Sequence, residues 1–440
     1  MVWLVAWMSA TSNHAEERFT VNTLSPTRVA EVRRGSFVSF ILLGHMVLCS
    51  VAWVPEYIDR LGVTFTQWGT ILGVAPLGAI SSIILAPRII LRFGVRSVML
   101  VGITLASITL VLLGFITDPI AWAVANLAFN FFASLTGVAI NSHAVTVQKQ
   151  VHKPIISGLH AGWSIGAVLA ALSGGLGTVY VSLGTYLVAT GIVTTVAMVL
   201  LYRHILSPAE DGHQVERANQ SPRKFWQFPL ALWIVALGFF AAVFPEIAVL
   251  EWSAVFARDT LGVSVALRAL PFAAFMGGMI VGRLTIGKLA ERYSVHRLAS
   301  RGAVVTAVAL TATVVIGPQI AQVSSAAAIT FLAVLWAGAG YGIAPLGPTL
   351  MASAAQVPGI SSAHAISLVS FVPQVLSIGA KILMGAIAQG ISVAAAFAFP
   401  IALLLLGAWI VAKQEPGEPV DDIDSYQPPT GPISIISQPD

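Results

Sequence analysis

Twelve mostly apolar stretches follow one another along this chain, each long enough to cross a bilayer, and nothing constrains its fold more. A helix rising about 1.5 Å per residue needs about 20 such residues to span the hydrocarbon. On that measure the spans fall at 36–58, 66–89, 97–117, 120–146, 156–179, 183–202, 229–252, 265–288, 299–318, 323–350, 360–388 and 391–412. Charged residues are only 10% of the 440 and hydrophobic ones 57%, against about 25% charged in a soluble domain. Inside lipid every backbone amide must be satisfied within the chain, which helices of this length achieve. The expected fold is an all-α polytopic membrane protein of twelve transmembrane helices.

Short echoes divide the spans into two sets of six. Ile156-Ser157-Gly158-Leu159-His160-Ala161 opens span 5, and Ile360-Ser361-Ser362-Ala363-His364-Ala365 opens span 11, 204 residues later (364 − 160). Asp59-Arg60-Leu61-Gly62-Val63 recurs as Asp259-Thr260-Leu261-Gly262-Val263, and Arg92-Phe93-Gly94 as Arg292-Tyr293-Ser294. Gly137-Val138-Ala139 recurs as Gly342-Ile343-Ala344. Four matches in one order indicate a duplicated half and predict two pseudo-symmetric six-helix bundles, 36–202 and 229–412. A polar linker at 203–228 joins them, an N-terminal segment at 1–35 precedes them, and the proline-rich acidic tail at 413–440 reads as disordered.

Basic residues set the orientation. Of the 23 lysines and arginines, only Arg60, Arg258 and Arg268 fall on the far side, with Lys381 inside a span. Both termini and the linker are therefore expected in the cytoplasm, in a multi-pass protein of the inner membrane. The formal charge of +4 follows from these loops and is no nucleic-acid footprint. A single cysteine, Cys49, excludes an intramolecular disulfide and a cysteine-based metal site. The apolar run Met1–Met8 lacks the basic lead-in of a signal peptide.

Twelve spans, two related halves and a basic loop between spans 2 and 3 resemble the major facilitator superfamily. Its loop signature is Gly-x-Leu-Ala-Asp-Arg-x-Gly-Arg-Arg. Here the first half reads Pro87-Arg88-Ile89-Ile90-Leu91-Arg92-Phe93-Gly94-Val95-Arg96, with the acid replaced by Leu91. The second half reads Gly287-Lys288-Leu289-Ala290-Glu291-Arg292-Tyr293-Ser294, keeping the acid and losing the last glycine. Asn141, the His160-Ala161 pair and the run from Glu246 to Glu251-Trp252-Ser253 look like a poorly characterised bacterial branch, distantly similar to the fucose–proton symporters. Span 5 reads Ser173-Gly174-Gly175-Leu176-Gly177 and lacks the proline-bearing signature of drug–proton antiporters.

Ionisable groups at membrane depth are functional candidates by default. His45 lies within span 1, as a substrate ligand, a proton relay or a neutral ring bonded between helices. Pro55-Glu56 and Pro245-Glu246 are read as similar places in the two halves, with Glu246 the proton carrier and Lys381 its counter-ion. Glu56 and Glu251 read as solvated rim groups. Asn126, Asn130 and Ser134 share a face of span 4. The resembling family lines its central cavity with spans 1, 4, 7 and 10. This implies that Asn126 and Asn130 meet substrate, with Trp336 and Tyr341 of span 10 in the same cavity and Gln374 of span 11 beside it. Helix–helix hydrogen bonding is the alternative role for the asparagines.

His143, His160 and His364 lie at a depth suited to a gate. The resemblance adds Arg92, Gly94, Glu291 and Arg292 to that gate, with Glu291 against the start of span 5 near Ser157 and Gly158, and Leu91 near Ser361 and Ser362. Gly158, Gly162, Gly166 and Ala170 form a track for close helix contact, as do Gly278 and Gly282. The sequence carries no P-loop run and no nucleophile constellation, so neither a nucleotide-driven pump nor an enzyme is expected. What remains is a monomeric secondary transporter of a small polar, sugar-like solute, working by proton symport without a cofactor. The alternatives are a proton-coupled exporter of a drug or metabolite and a non-transporting sensor on the same fold.

Overall fold

The structure, a computed structural model, describes residues 24–151, 155–211, 228–358, 360 and 362–414. Twelve helical passages are long and apolar enough to cross a membrane. They outrun the apolar stretches, because a helix does not stop where its side chains turn polar. Span 1 begins at Pro26, ten residues before the apolar run. Ser25 caps it by accepting the Arg28 amide at 3.3 Å, and proline stands where no helical amide is needed. It runs to Leu48, breaks through a 3₁₀ turn at Val51–Trp53 and resumes as Val54–Leu61.

Spans 2 to 6 are Phe65–Phe93, Val95–Leu113, Pro119–Val151, Ile156–Tyr180 and Leu183–Leu201. Spans 7 to 9 are Leu230–Asp259, Leu270–Ala290 and Val295–Val323. Span 10 is broken into Ser325–Ile343 and Leu346–Ala355, span 11 is Ser362–Gly390, and span 12 is Val393–Ala396 followed by Ala398–Lys413. Residues 24, 211, 228 and 414 share one side, here the linker face; the other is the distal face.

The packing repeats when six is added to each span number. Span 1 packs on span 5, span 2 on span 4, span 3 on spans 4 and 6; span 7 packs on span 11, span 8 on span 10, span 9 on spans 10 and 12. Across the bundles, span 2 meets span 11 and span 8 meets span 5, which is one contact made twice. The sequence echoes coincide with this repeat. Gly62 and Gly262 both end their helices with positive φ, +60° and +61°, and each returns its amide to a carbonyl of the last turn, Asp59 and Arg258 respectively. The loop after span 2 breaks the symmetry. Gly94 has φ +77°, whereas its counterpart Ser294 has φ −56°. The second loop no longer needs a left-handed residue, so its motif lost the glycine without strain.

Close backbone approach joins the helices. The track in span 5 serves span 1: a Cβ on Gly162 would lie 2.9 Å from the Phe37 carbonyl oxygen, and one on Gly174 2.8 Å from that of Cys49. Gly158 has nothing within 4 Å, so the track is shifted one turn toward the distal face. Gly278 and Gly282 meet the backbone of span 10 at Ala337 and Tyr341. Between the bundles, Gly69 and Gly385 face one another, and a Cβ on Gly69 would sit 2.6 Å from the Lys381 carbonyl oxygen. The Phe65 amide, at the head of span 2, donates to Gln389 Oε1 at 3.0 Å, and Arg258 bonds Asp59 at 2.7 Å and the Pro55 carbonyl at 3.1 Å. These cross-bundle contacts lie toward the distal face.

The linker end of the first bundle is clamped separately. Arg28 bonds both Glu210 carboxylate oxygens at 3.0 Å and the carbonyls of Arg203 and Ile205 at 2.7 and 3.0 Å. Beneath it, buried His143 accepts the Leu206 amide on Nε2 at 3.0 Å. Its proton therefore sits on Nδ1, which donates to Ser36 Oγ at 2.9 Å, and Ser36 passes its own to the Val32 carbonyl. His143, read from sequence as a gate residue, joins spans 1 and 4 to the linker.

Two outcomes are expected. Gly69→Val should part the bundles at the distal face, raising the reactivity of a cysteine placed at Gln389 toward an impermeant thiol reagent, while Gly158→Val should not. Equal reactivity in both would refute the contact. Glu210, held by Arg28, has its carboxyl lowered to about 2. The clamp is thus complete above the ordinary carboxylate value of 4.5 and is lost as pH falls toward about 2. Protection of the Ser207 amide, which Glu210 accepts at 2.7 Å, measured as exchange relative to an unstructured amide at the same pH, should be constant from pH 8 to about 5 and fall below; Glu210→Gln should lower it throughout.

Candidate functional site

The cation that sequence reading missed sits between the bundles. Arg283 is counted above with the basic residues of the linker side, yet it lies seven residues inside the end of span 8, about 10 Å from it at 1.5 Å per residue. Its neighbours Leu284 and Ile286 were the available signal. Nη1 donates across the bundle interface to Oγ of buried Ser164 on span 5 at 3.1 Å, and the guanidinium acts electrostatically on Glu246 of span 7 and His160 of span 5. The residue itself is exposed. His160 is exposed too, its ring edge set against Phe40 of span 1 with centroids 4.9 Å apart. Three spans, 5, 7 and 8, thus contribute to one polar cluster, with Phe40 of span 1 packed beside it.

Glu246 is half-buried and has no ion pair among the described residues. Lys381 is not its counter-ion. The lysine pairs instead with Glu251, five residues further along span 7, and both side chains are nearly buried, at 9% and 14% exposed. Five residues turn a helix by about 140°, so the two glutamates leave span 7 in different directions. Glu251 is accordingly a core group and not a rim group. Pro55-Glu56 and Pro245-Glu246 are not equivalent either. Counted from the repeated Asp59 and Asp259, one glutamate lies three residues back (59 − 56) and the other thirteen (259 − 246). Gln374, half-buried beside Pro373, stands seven residues before Lys381 and shares its helical face.

The remaining candidates scatter. His45 Nε2 is bonded to Ser173 Oγ at 3.0 Å, and that hydroxyl to Tyr186 at 2.9 Å, a chain that ties spans 1, 5 and 6. Asn130 spends its amide on the Asn126 carbonyl at 2.8 Å and on its side-chain oxygen at 3.1 Å; both share a face with Gly137, which touches Leu43 of span 1. Trp336 is fully buried, bonds Thr313 of span 9 at 3.2 Å and packs on Phe397. Tyr341 bonds Thr285 of span 8 at 3.3 Å in a crevice shared with Leu298 and Gly302 of span 9. Span 10 therefore turns both aromatics toward its own bundle, and among the described residues their bonds and ring contacts do not reach Asn126 or Asn130.

Among the described residues, no bond from Glu291 to the start of span 5 is made in this conformation. Glu291 is exposed, Gly158 faces open space, and the Arg92 guanidinium lies 5.3 Å over the ring of Phe93 beside Gly94. Arg292 is exposed as well, and His364 sits half-buried in the first turn of span 11. Ser361 and the side chains of Ser157 and Ser362 lie outside the described residues, as does most of the tail.

Residues 35–380 match the sequence model of the Major Facilitator Superfamily. An uncharacterised MFS-type transporter of Yersinia pestis is 24% identical over 374 residues, 84% of this chain and 92% of that protein. An uncharacterised transporter of Sinorhizobium fredii is 29% identical over 262 residues, 59% of this chain and 68% of that one. Among solved structures, the nucleoside transporter NupG superposes with a TM-score of 0.61 at 16% identity, covering 88% of this chain and all of its own. A D-xylose–proton symporter gives 0.63 at 13%, covering 88% and 97%. A bacterial homologue of the lysosomal transporter Spinster, inward-facing and unoccupied, gives 0.62 at 16%, covering 88% and 96%. At these identities the structures share the fold.

The ion pair generates a test. Glu251→Gln strands a buried ammonium and should destabilise the protein by about 3–5 kcal/mol, whereas the double change Glu251→Gln with Lys381→Met should recover most of the loss. Thermal unfolding in detergent reads both; a double variant no more stable than the single one would contradict the pairing.

Proposed function

Because the chain belongs to the Major Facilitator Superfamily, we propose that it is a secondary active transporter carrying a small polar solute across the inner membrane by alternating access, coupled to protons as a symporter. The cluster of Arg283, Ser164, His160 and Glu246 carries this reading. It draws on both bundles, so a solute held there contacts the two bodies that must rock against one another. The cross-bundle contacts lie on its distal side, and the positive-inside distribution puts that side outside. The state described is then closed externally, with exposed polar groups reached from the cytoplasm. A nucleoside transporter and a sugar–proton symporter share the fold, which favours a small polar cargo.

Glu246 remains the proton carrier. Glu251 is committed to Lys381, while Glu246 faces an arginine whose bond among the described residues goes to a hydroxyl. Protonation therefore changes the charge of the cluster without breaking an ion pair. The gate roles of Glu291 and His364 belong to the opposite, inside-closed state.

In vesicles with an imposed pH gradient, a metabolite screen should find a solute accumulated uphill by the wild type. Glu246→Gln should abolish that accumulation while leaving exchange of preloaded solute largely intact. Undiminished uphill uptake by the variant would remove the proton role.

A further inference from the structure

Arg283 brings a guanidinium into a span, and a charged group there persists where water or a counter-charge meets it. Here the guanidinium is exposed, stands at the junction of the bundles, and makes no ion pair among the described residues. Its described hydrogen bond goes to Ser164 Oγ as acceptor. That leaves most of its five donors unspent. The hydroxyl proton of Ser164 has no acceptor among the described residues either, although the side chain is 5% exposed. Unspent donors of two kinds, one from each bundle, therefore stand side by side with no further acceptor among the described residues.

We propose that Arg283 and Ser164 form the recognition point for a small organic monoanion, a carboxylate, bound between the bundles with His160 and Glu246 at its margin. The planar guanidinium fork matches a carboxylate in two parallel bonds, and the serine hydroxyl completes a third. The ligand carries one charge, because a single arginine faces it and the carboxylate of Glu246 would repel a second. This deepens the transport reading and rests on it. With a proton on Glu246 the arginine is left to the solute, so proton and anion cross as a neutral pair. The other ionisable groups on elements packed against span 7 stand apart. Lys381 is taken by Glu251, His364 is in the first turn of span 11, Lys288 and Lys413 are at the linker face, and Glu56, Asp59 and Arg60 are at the distal face.

Two measurements on the full-length protein test this. In membranes, a His160→Cys variant is reacted with anionic and cationic methanethiosulfonates of matched size, Cys49 being fully buried. The anionic reagent should react faster, by about tenfold. Adding Arg283→Gln should remove the preference and Arg283→Lys should keep it. A ratio unchanged by Arg283→Gln overturns the site. In detergent, the wild-type melting temperature is then followed with acetate, lactate and benzoate against acetamide, lactamide and benzamide. At least one acid should stabilise where its amide does not, and Arg283→Gln should lose that response. Equal stabilisation by acid and amide, or none by any of the acids, overturns the assignment. Binding of an acid without pH-driven uptake would remove transport and leave the site. Uphill uptake of uridine or D-xylose, undiminished in Arg283→Gln, would keep transport and remove the site.

Discussion

The architecture depends on where backbones touch. Lipid tails are as apolar as leucine, so burying leucine between membrane helices gains little, and association rests on close packing and hydrogen bonds. Gly69 against Gly385 is a contact of this kind between the bundles, with a Cβ on either closer than 3.0 Å to the other's Cα, and Gly73 against the Ile378 carbonyl is another. Around it cluster the Phe65 to Gln389 bond and the Arg258 to Asp59 pair. These contacts crowd toward one face, and toward the other the described side-chain bond between the bundles is that of Arg283 to Ser164.

Charge follows from that geometry. The lysine at depth is neutralised by a glutamate on the facing helix, which makes the pair a fixture of the second bundle. The arginine at depth leans on a serine of the first bundle. One is closed within a bundle; the other bridges the two bundles.

Much of the fold was legible in the chain. Span number, the pairing of halves and the positions of Gly62 and Gly262 follow from apolar length and from short echoes, because those are set locally by lipid thickness and by helix termination. Helix ends were not, since Arg28 and Arg33 extend span 1 beyond its apolar run and hydropathy sees only the side chain. The site was legible in part. Glu246 and His160 stood out as ionisable groups inside apolar stretches. Arg283 did not, because a basic residue near a span end resembles a loop anchor. The partner of Lys381 and the inward turn of Trp336 depend on which way a helix is rotated, and a period of 3.6 residues does not fix that rotation against its neighbours.

One buried histidine has a consequence for how the linker meets the first bundle. His143 takes the Leu206 amide on Nε2 and gives its Nδ1 proton to Ser36, so two edges of one ring are committed to two other segments. Beside it Arg28 holds Glu210. The start of the linker is thus riveted to spans 1 and 4 and turns with them as one body.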